Sequence, residues 1–191
     1  MAVYRAELES LFNQLLEGAD ESERTQLSAV LEGRDDIILP SYVLDEDLNG
    51  ADEDKPQSIH KFIAGLSLPQ KIKLAIRGNK AARSVLLRDS NRQVPALVLE
   101  NPQITEEEVT ELAQNTNTDD ELLRLIANNG RWMKNYVIKL AIVANPKVPL
   151  DLSIKWVKHL RDADLRRLGR SRNIPQVLST LCLRTLAMRE K

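Results

Sequence analysis

Apolar residues recur along most of this chain at steps of three and four, the spacing that lines one face of an α-helix. Tyr4, Leu8, Leu11, Phe12 and Leu15, with Leu16 beside them, form the first such stripe, and Glu7, Glu9 and Glu17 take the other side. A second helix is predicted from Asp20, which caps the free amides while Glu23 completes a capping box, to Gly33, with Leu27, Val30 and Leu31 as its buried stripe. Residues 1–33 thus read as a helical hairpin, too small to be very stable without packing on something else. Residues 34–57 break the rhythm. Ile37-Ile38-Leu39 and Tyr42-Val43-Leu44 are apolar clusters without helical period, suited to lie in a groove, and residues 45–54 then carry six acidic side chains around Asn49-Gly50, which reads as a solvated linker. From Ser58 onward the helical pattern is dense, predicting segments near 58–65, 69–77, 80–89, 92–100, 105–114, 119–128, 131–144, 149–160, 162–170 and 175–188. These are too short to be stable helices singly, so neighbour packing must hold them. Leu112 and Leu125 are expected at inward positions.

A short phrase punctuates this second region. Asn101-Pro102-Gln103-Ile104-Thr105, Asn115-Thr116-Asn117-Thr118-Asp119 and Asn145-Pro146-Lys147-Val148-Pro149 share it, and Ser171-Arg172-Asn173-Ile174-Pro175 is a degenerate copy. Asn is expected in the left-handed conformation that ends a helix, while Thr105 or Asp119 caps the next one and Pro149 or Pro175 opens it. The fold class that follows is all-α, an irregular array of short helices over residues 58–191.

The stretch from Leu86-Leu87-Arg88-Asp89 through Asn91-Arg92-Gln93-Val94 to Leu99-Glu100-Asn101-Pro102, with Val143-Ala144-Asn145-Pro146 as a second instance, resembles bacterial HEAT-like and variant leucine-rich repeat proteins. The resemblance covers roughly residues 66–188. It implies a right-handed α-solenoid of the HEAT/armadillo kind, with a concave face used for protein contact. Some variant leucine-rich repeat proteins carry an iron-sulfur module with clustered cysteines, a feature that does not transfer to a chain whose one cysteine is Cys182. Some HEAT-like proteins are DNA glycosylases, and Trp132, Trp156 and Asp151 supply the residue types of such a face, but analogy of fold is a weak warrant for activity.

Charge changes the picture more than composition does. The net charge of −1 conceals a gradient: residues 1–60 hold 4 basic and 15 acidic side chains, residues 61–120 hold 8 of each, and residues 121–191 hold 15 basic and 5 acidic. Such asymmetry concerns partners rather than fold. Arg131, Trp132, Lys134 and Tyr136 in one segment, and Lys158, Arg161, Arg166, Arg167, Arg170 and Arg172 in another, are the candidate partner-binding residues, because arginines and aromatics most often dominate interfaces. Equally, Trp132 and Tyr136 suit a core, and the arginines suit a solvated helix face.

Catalytic motifs are not legible. His60 and His159 stand 99 residues apart with no Cys or His at ligand spacing, Gly78-Asn79-Lys80 lacks the rest of a phosphate loop, and no Gly-x-Ser-x-Gly occurs. No catalytic residue, metal or cofactor is expected. Cys182, between two leucines, suits a small buried hydrophobe. With no apolar run near 18 residues and no basic-then-apolar leader, a soluble cytoplasmic protein is expected. The sequence therefore predicts a non-catalytic scaffold or adaptor that binds an acidic protein surface through the basic, aromatic-containing face of its last repeats. The acidic N-terminal segment would mask that face or meet it in a second copy. The alternative is nucleic-acid binding by the same face, disfavoured by the pI of 6.2.

Overall fold

A computed structural model describes residues 13, 16, 17, 20–32, 34–45 and 55–189, with backbone alone for 31–32 and 55–58. Most of the expected first helix, including Tyr4, Leu8, Leu11, Phe12 and Leu15, and most of the acidic run lie outside the described residues. Among those described there are eleven short α-helices, two 3-10 turns and no strand. The chain divides between Ile104 and Thr105 into two compact units.

The first unit contains α1 (Glu21–Glu32), α2 (Lys55–Ala64), α3 (Leu68–Arg77), α4 (Lys80–Leu86) and α5 (Gln93–Val98). Asp20 and Glu23 form the expected capping box, each accepting from the other's backbone amide at 2.8 and 3.3 Å. Leu27 and Val30 are buried, as the stripe requires. α1 packs on α3, α3 on α5 and α2 on α4, and α4 also packs on its neighbours α3 and α5. Residues 34–45 form a strap around a 3-10 turn at Ser41–Val43, with Leu39 and Val43 buried. The Lys73 ammonium holds the strap by donating to the Asp35 carboxylate and the Ile37 carbonyl. Asn79 holds it again, its side-chain amide donating to the Tyr42 and Asp45 carbonyls, both at 2.9 Å, and its backbone N–H to Val43 O at 2.9 Å. Of the apolar clusters without helical period, Leu39 and Val43 are buried, while Ile38 stays exposed.

The second unit contains α6 (Glu106–Gln114), α7 (Asp120–Asn128), a 3-10 turn at Trp132–Lys134, α8 (Tyr136–Ala144), α9 (Leu150–Val157), α10 (Asp162–Gly169) and α11 (Gln176–Arg189). α6 packs on α8, α7 on α9 and α9 on α11, with further packing between neighbours. Val143, Val157, Leu160, Leu165, Leu168, Leu178, Cys182 and Leu186 form one contiguous core at its end. Cys182 is fully buried, and loss of hydration pushes its thiol pKa up, so it behaves as the expected small hydrophobe.

Two expectations on local structure are corrected. The single helix expected over 131–144 is a 3-10 turn followed by α8, because the Asn135 side chain accepts from the Val137 amide at 2.8 Å and starts a new helix. Leu112 and Leu125 are half-buried, and the fully inward positions of α7 are Leu123, Ile126 and Ala127.

The recurring phrase is structural, but its mechanism differs from the expected one. Asn115 (φ −75°, ψ 117°) and Asn145 (φ −82°, ψ 120°) are extended rather than left-handed. Their side chains do the work instead. The Asn145 carboxamide oxygen accepts from the Lys147 amide at 3.0 Å, turning the chain, and its NH₂ donates to Ala113 O at 2.8 Å and Asn115 O at 3.2 Å. Asn101 repeats the arrangement in the first unit, accepting from Gln103 N at 2.8 Å and donating to Ala75 O at 2.9 Å and Gly78 O at 3.1 Å. A helix leaves its last carbonyls without partners, and in each unit a buried Asn two helices later satisfies them. The degenerate copy keeps only the turn, with Ser171 Oγ accepting from Asn173 N at 3.2 Å.

Candidate functional site

In the second unit the starts of α8 and α10 and the ends of α7, α9 and α11 meet along one edge. Hydrogen bonds tie this edge together. Asn135 Nδ2 donates to Glu106 at 2.6 Å, the Arg161 amide donates to Tyr136 Oη at 3.0 Å, and Tyr136 Oη donates to Asp164. Arg189, at the end of α11, reaches back to Leu160 O at 2.8 Å, Asp162 at 2.7 Å and Lys158 O. Trp156 Nε1 donates to Ala127 O at 3.2 Å, fastening the end of α9 to the end of α7.

Cations lie over aromatic rings along the same edge. Arg131 sits 4.3 Å from the Trp132 ring centre, Arg161 sits 4.4 Å from Tyr136, and Lys139 and Lys155 sit 5.7 and 5.3 Å from Trp156. His159 adds a tilted ring contact to Trp156 at 5.5 Å. Each such contact is worth about 0.5–1 kcal/mol at an exposed site, enough to restrict long side chains without neutralising them. Lys134, Lys139, Lys155 and Lys158 make no ion pair with any described carboxylate. Their positive charge remains available to a ligand.

Six of the ten expected site residues gather here: Arg131, Trp132, Lys134, Tyr136, Lys158 and Arg161. They do not all face solvent. Trp132 is 1% exposed and belongs to the core, where its ring supports Arg131 from beneath. Tyr136 is half-buried; burial first, and then its hydrogen bond to the Asp164 carboxylate, raise its phenol pKa, so it stays a neutral donor. Arg166 and Arg167 follow on the later turns of α10, and Arg170 and Arg172 on the loop after it, with roughly 13 Å of helix axis separating Arg161 from Arg170. Arg167 pairs with Asp164 at 3.1 Å, but at 66% exposure such a pair contributes little. Through Asp164, which also accepts from Tyr136, Arg167 borders the edge.

Sequence reasoning missed Lys139, Lys155 and Trp156 as parts of this edge. The run Lys155-Trp156-Val157-Lys158-His159 carried a local signal, whereas Lys139 reaches Trp156 only through the packing of α8 beside α9. Among the described residues no three His, Cys, Asp or Glu side chains are grouped to hold a metal ion, and no helix is long and apolar enough to cross a membrane. Comparison with known families, with curated proteins and with solved structures finds no match for this chain.

Proposed function

We propose that this chain is a non-catalytic, cytoplasmic scaffold or adaptor whose second unit binds an acidic protein surface through the basic, aromatic edge at the start of α8 and the end of α9. The observation that carries the reading is the group of four lysines, Lys134, Lys139, Lys155 and Lys158, which have no described carboxylate partner and stand beside rings that restrain two of them. The two cations held over the Trp156 ring favour oriented contact with an acidic surface, since they lose little side-chain freedom on binding. The packing of α1 on α3, α2 on α4, α3 on α5, α6 on α8, α7 on α9 and α9 on α11, and the buried asparagines that tie α3 to α5 and α6 to α8, support the HEAT/armadillo-like solenoid reading within each unit. Nucleic acid is the competing ligand of the same edge, since phosphates seek the same cations.

The test is capture of partners from native lysate by the full chain, with and without nuclease, beside two variants: Lys155→Glu with Lys158→Glu, and Arg166→Glu with Arg167→Glu and Arg170→Glu. Protein partners that survive nuclease and disappear with the lysine pair support the reading. Loss of all bound material on nuclease treatment assigns the edge to nucleic acid, and retention of partners by the lysine variant refutes it.

A further inference from the structure

α11 is apolar on two sides. Leu178, Cys182 and Leu186 face the core. On its outer side Val177 and Met188 are 60% and 64% exposed, while Leu181, between them in helical register, is half-buried and packs against the core. A surface helix ordinarily presents polar residues outward, and this broken stripe leaves apolar surface at both ends of α11 open to a partner. Arg184 lies within the stripe, and exposed Arg170 and Arg172 stand on the loop that leads into α11. None of the three has an ion-pair partner among the described residues.

The chain carries a sequence of complementary chemistry at its other end. In sequence, Tyr4, Leu8, Leu11, Phe12 and Leu15 follow the spacing of a helix face, with Glu7, Glu9 and Glu17 at the other positions, and residues 1–60 are as short of cations as residues 121–191 are rich in them. We propose that the outer face of α11 docks residues 4–17 of a second copy, apolar stripe on apolar stripe, with Arg170, Arg172 and Arg184 meeting the glutamates. The contact is heterologous, joining the acidic end of one copy to the basic end of the next, so one site on each copy remains open unless the rotation between copies closes a ring. It goes beyond the edge of α8 and α9 and uses none of its lysines.

The experiment is sedimentation of the full chain over a wide concentration range, in low and high salt. The account expects reversible association that weakens with salt. It also expects association to weaken by tenfold or more, on the order seen for buried interface anchors, in Val177→Asp with Met188→Asp and in Arg184→Glu, their thermal unfolding being unchanged because these side chains are outside the core. Glu7→Arg, Glu9→Arg and Glu17→Arg should weaken association alone and restore it when mixed with a copy carrying Arg170→Glu, Arg172→Glu and Arg184→Glu. A monomer at every concentration, association indifferent to the α11 variants, or failure of the charge-exchanged pair to associate would overturn the proposal. Lys155→Glu with Lys158→Glu should leave association intact, which separates this contact from partner binding at the edge.

Discussion

Replacing Asn145 with Ala tests the joint that ties α8 to α6. The side chain is buried and makes three hydrogen bonds, to Ala113 O at 2.8 Å, to Asn115 O at 3.2 Å and from Lys147 N at 3.0 Å. The Lys147 amide can turn to water, so its loss costs about 0.5–1 kcal/mol. The Ala113 carbonyl lies inside and would be orphaned, at about 1–3 kcal/mol, with a smaller contribution from Asn115 O. Together these predict a loss of about 2–4 kcal/mol. Both tryptophans, Trp132 and Trp156, lie in the second unit, so urea unfolding followed by their fluorescence reports on that unit. The midpoint should fall with the slope unchanged. Asn145→Asp keeps the turn-forming oxygen but aims a second one at two carbonyls, so it should be at least as damaging. Asn117→Ala, at an exposed position of the preceding copy of the phrase, should change stability by less than about 0.5 kcal/mol. An Asn145→Ala loss no larger than that of Asn117→Ala, or an Asp variant as stable as the native chain, would refute the account of the phrase.

Three further outcomes are expected. Burial alone would raise the Asp35 pKa, but hydrogen bonding and charge from Lys73, with the Ile37 amide, outweigh it and hold the carboxyl below its ordinary 3.8. A depressed folded-state value means the strap's contribution is present at neutral pH and is lost as pH falls from about 3.8 through that lower value. Asp35→Asn should flatten this acid limb in urea midpoints measured against pH, and an unaltered limb would contradict it. Gly78→Ala should destabilise by about 1–3 kcal/mol, because the new Cβ would stand 2.4 Å from the Leu74 carbonyl oxygen, whereas Gly130→Ala, with nothing within 4 Å, should be near neutral in thermal unfolding. Leu123→Ala should cost about 2–5 kcal/mol, and Leu125→Ala, half-buried, clearly less; equal losses would mean that the faces of α7 are misassigned.

The helices were legible because each depends on near neighbours. Apolar spacing, the Asp20–Glu23 box and the Thr105–Glu108 box are local, and the predicted segments agree with the observed ones to within a few residues. The break at Asn135 escaped notice because apolar period runs through it, from Met133 to Ile138, and only side-chain geometry stops the helix. Asn in the phrase marked a turn correctly, but its donors act on carbonyls 30 and 32 residues away, a range that local pattern cannot express. The same limit applies to the site. Arginines four apart in sequence suggested one face with Trp132 and Tyr136, yet the fold sends Trp132 inward and gathers Lys139 and Lys155 around Trp156.

The central claim, that the edge of α8 and α9 recognises acidic protein surface, is tested most directly by titrating the full chain with a poly-glutamate peptide and, separately, with duplex DNA of equal charge at several salt concentrations. Trp156 emission serves as the signal, since Lys139 and Lys155 flank its ring. The account predicts that the peptide binds and perturbs that emission, and that Lys155→Glu with Lys158→Glu abolishes the change, while DNA binds more weakly at every salt concentration. Peptide binding untouched by the lysine variant, or tighter binding of DNA with log affinity falling about 0.9 for each phosphate contact against log salt, would contradict it.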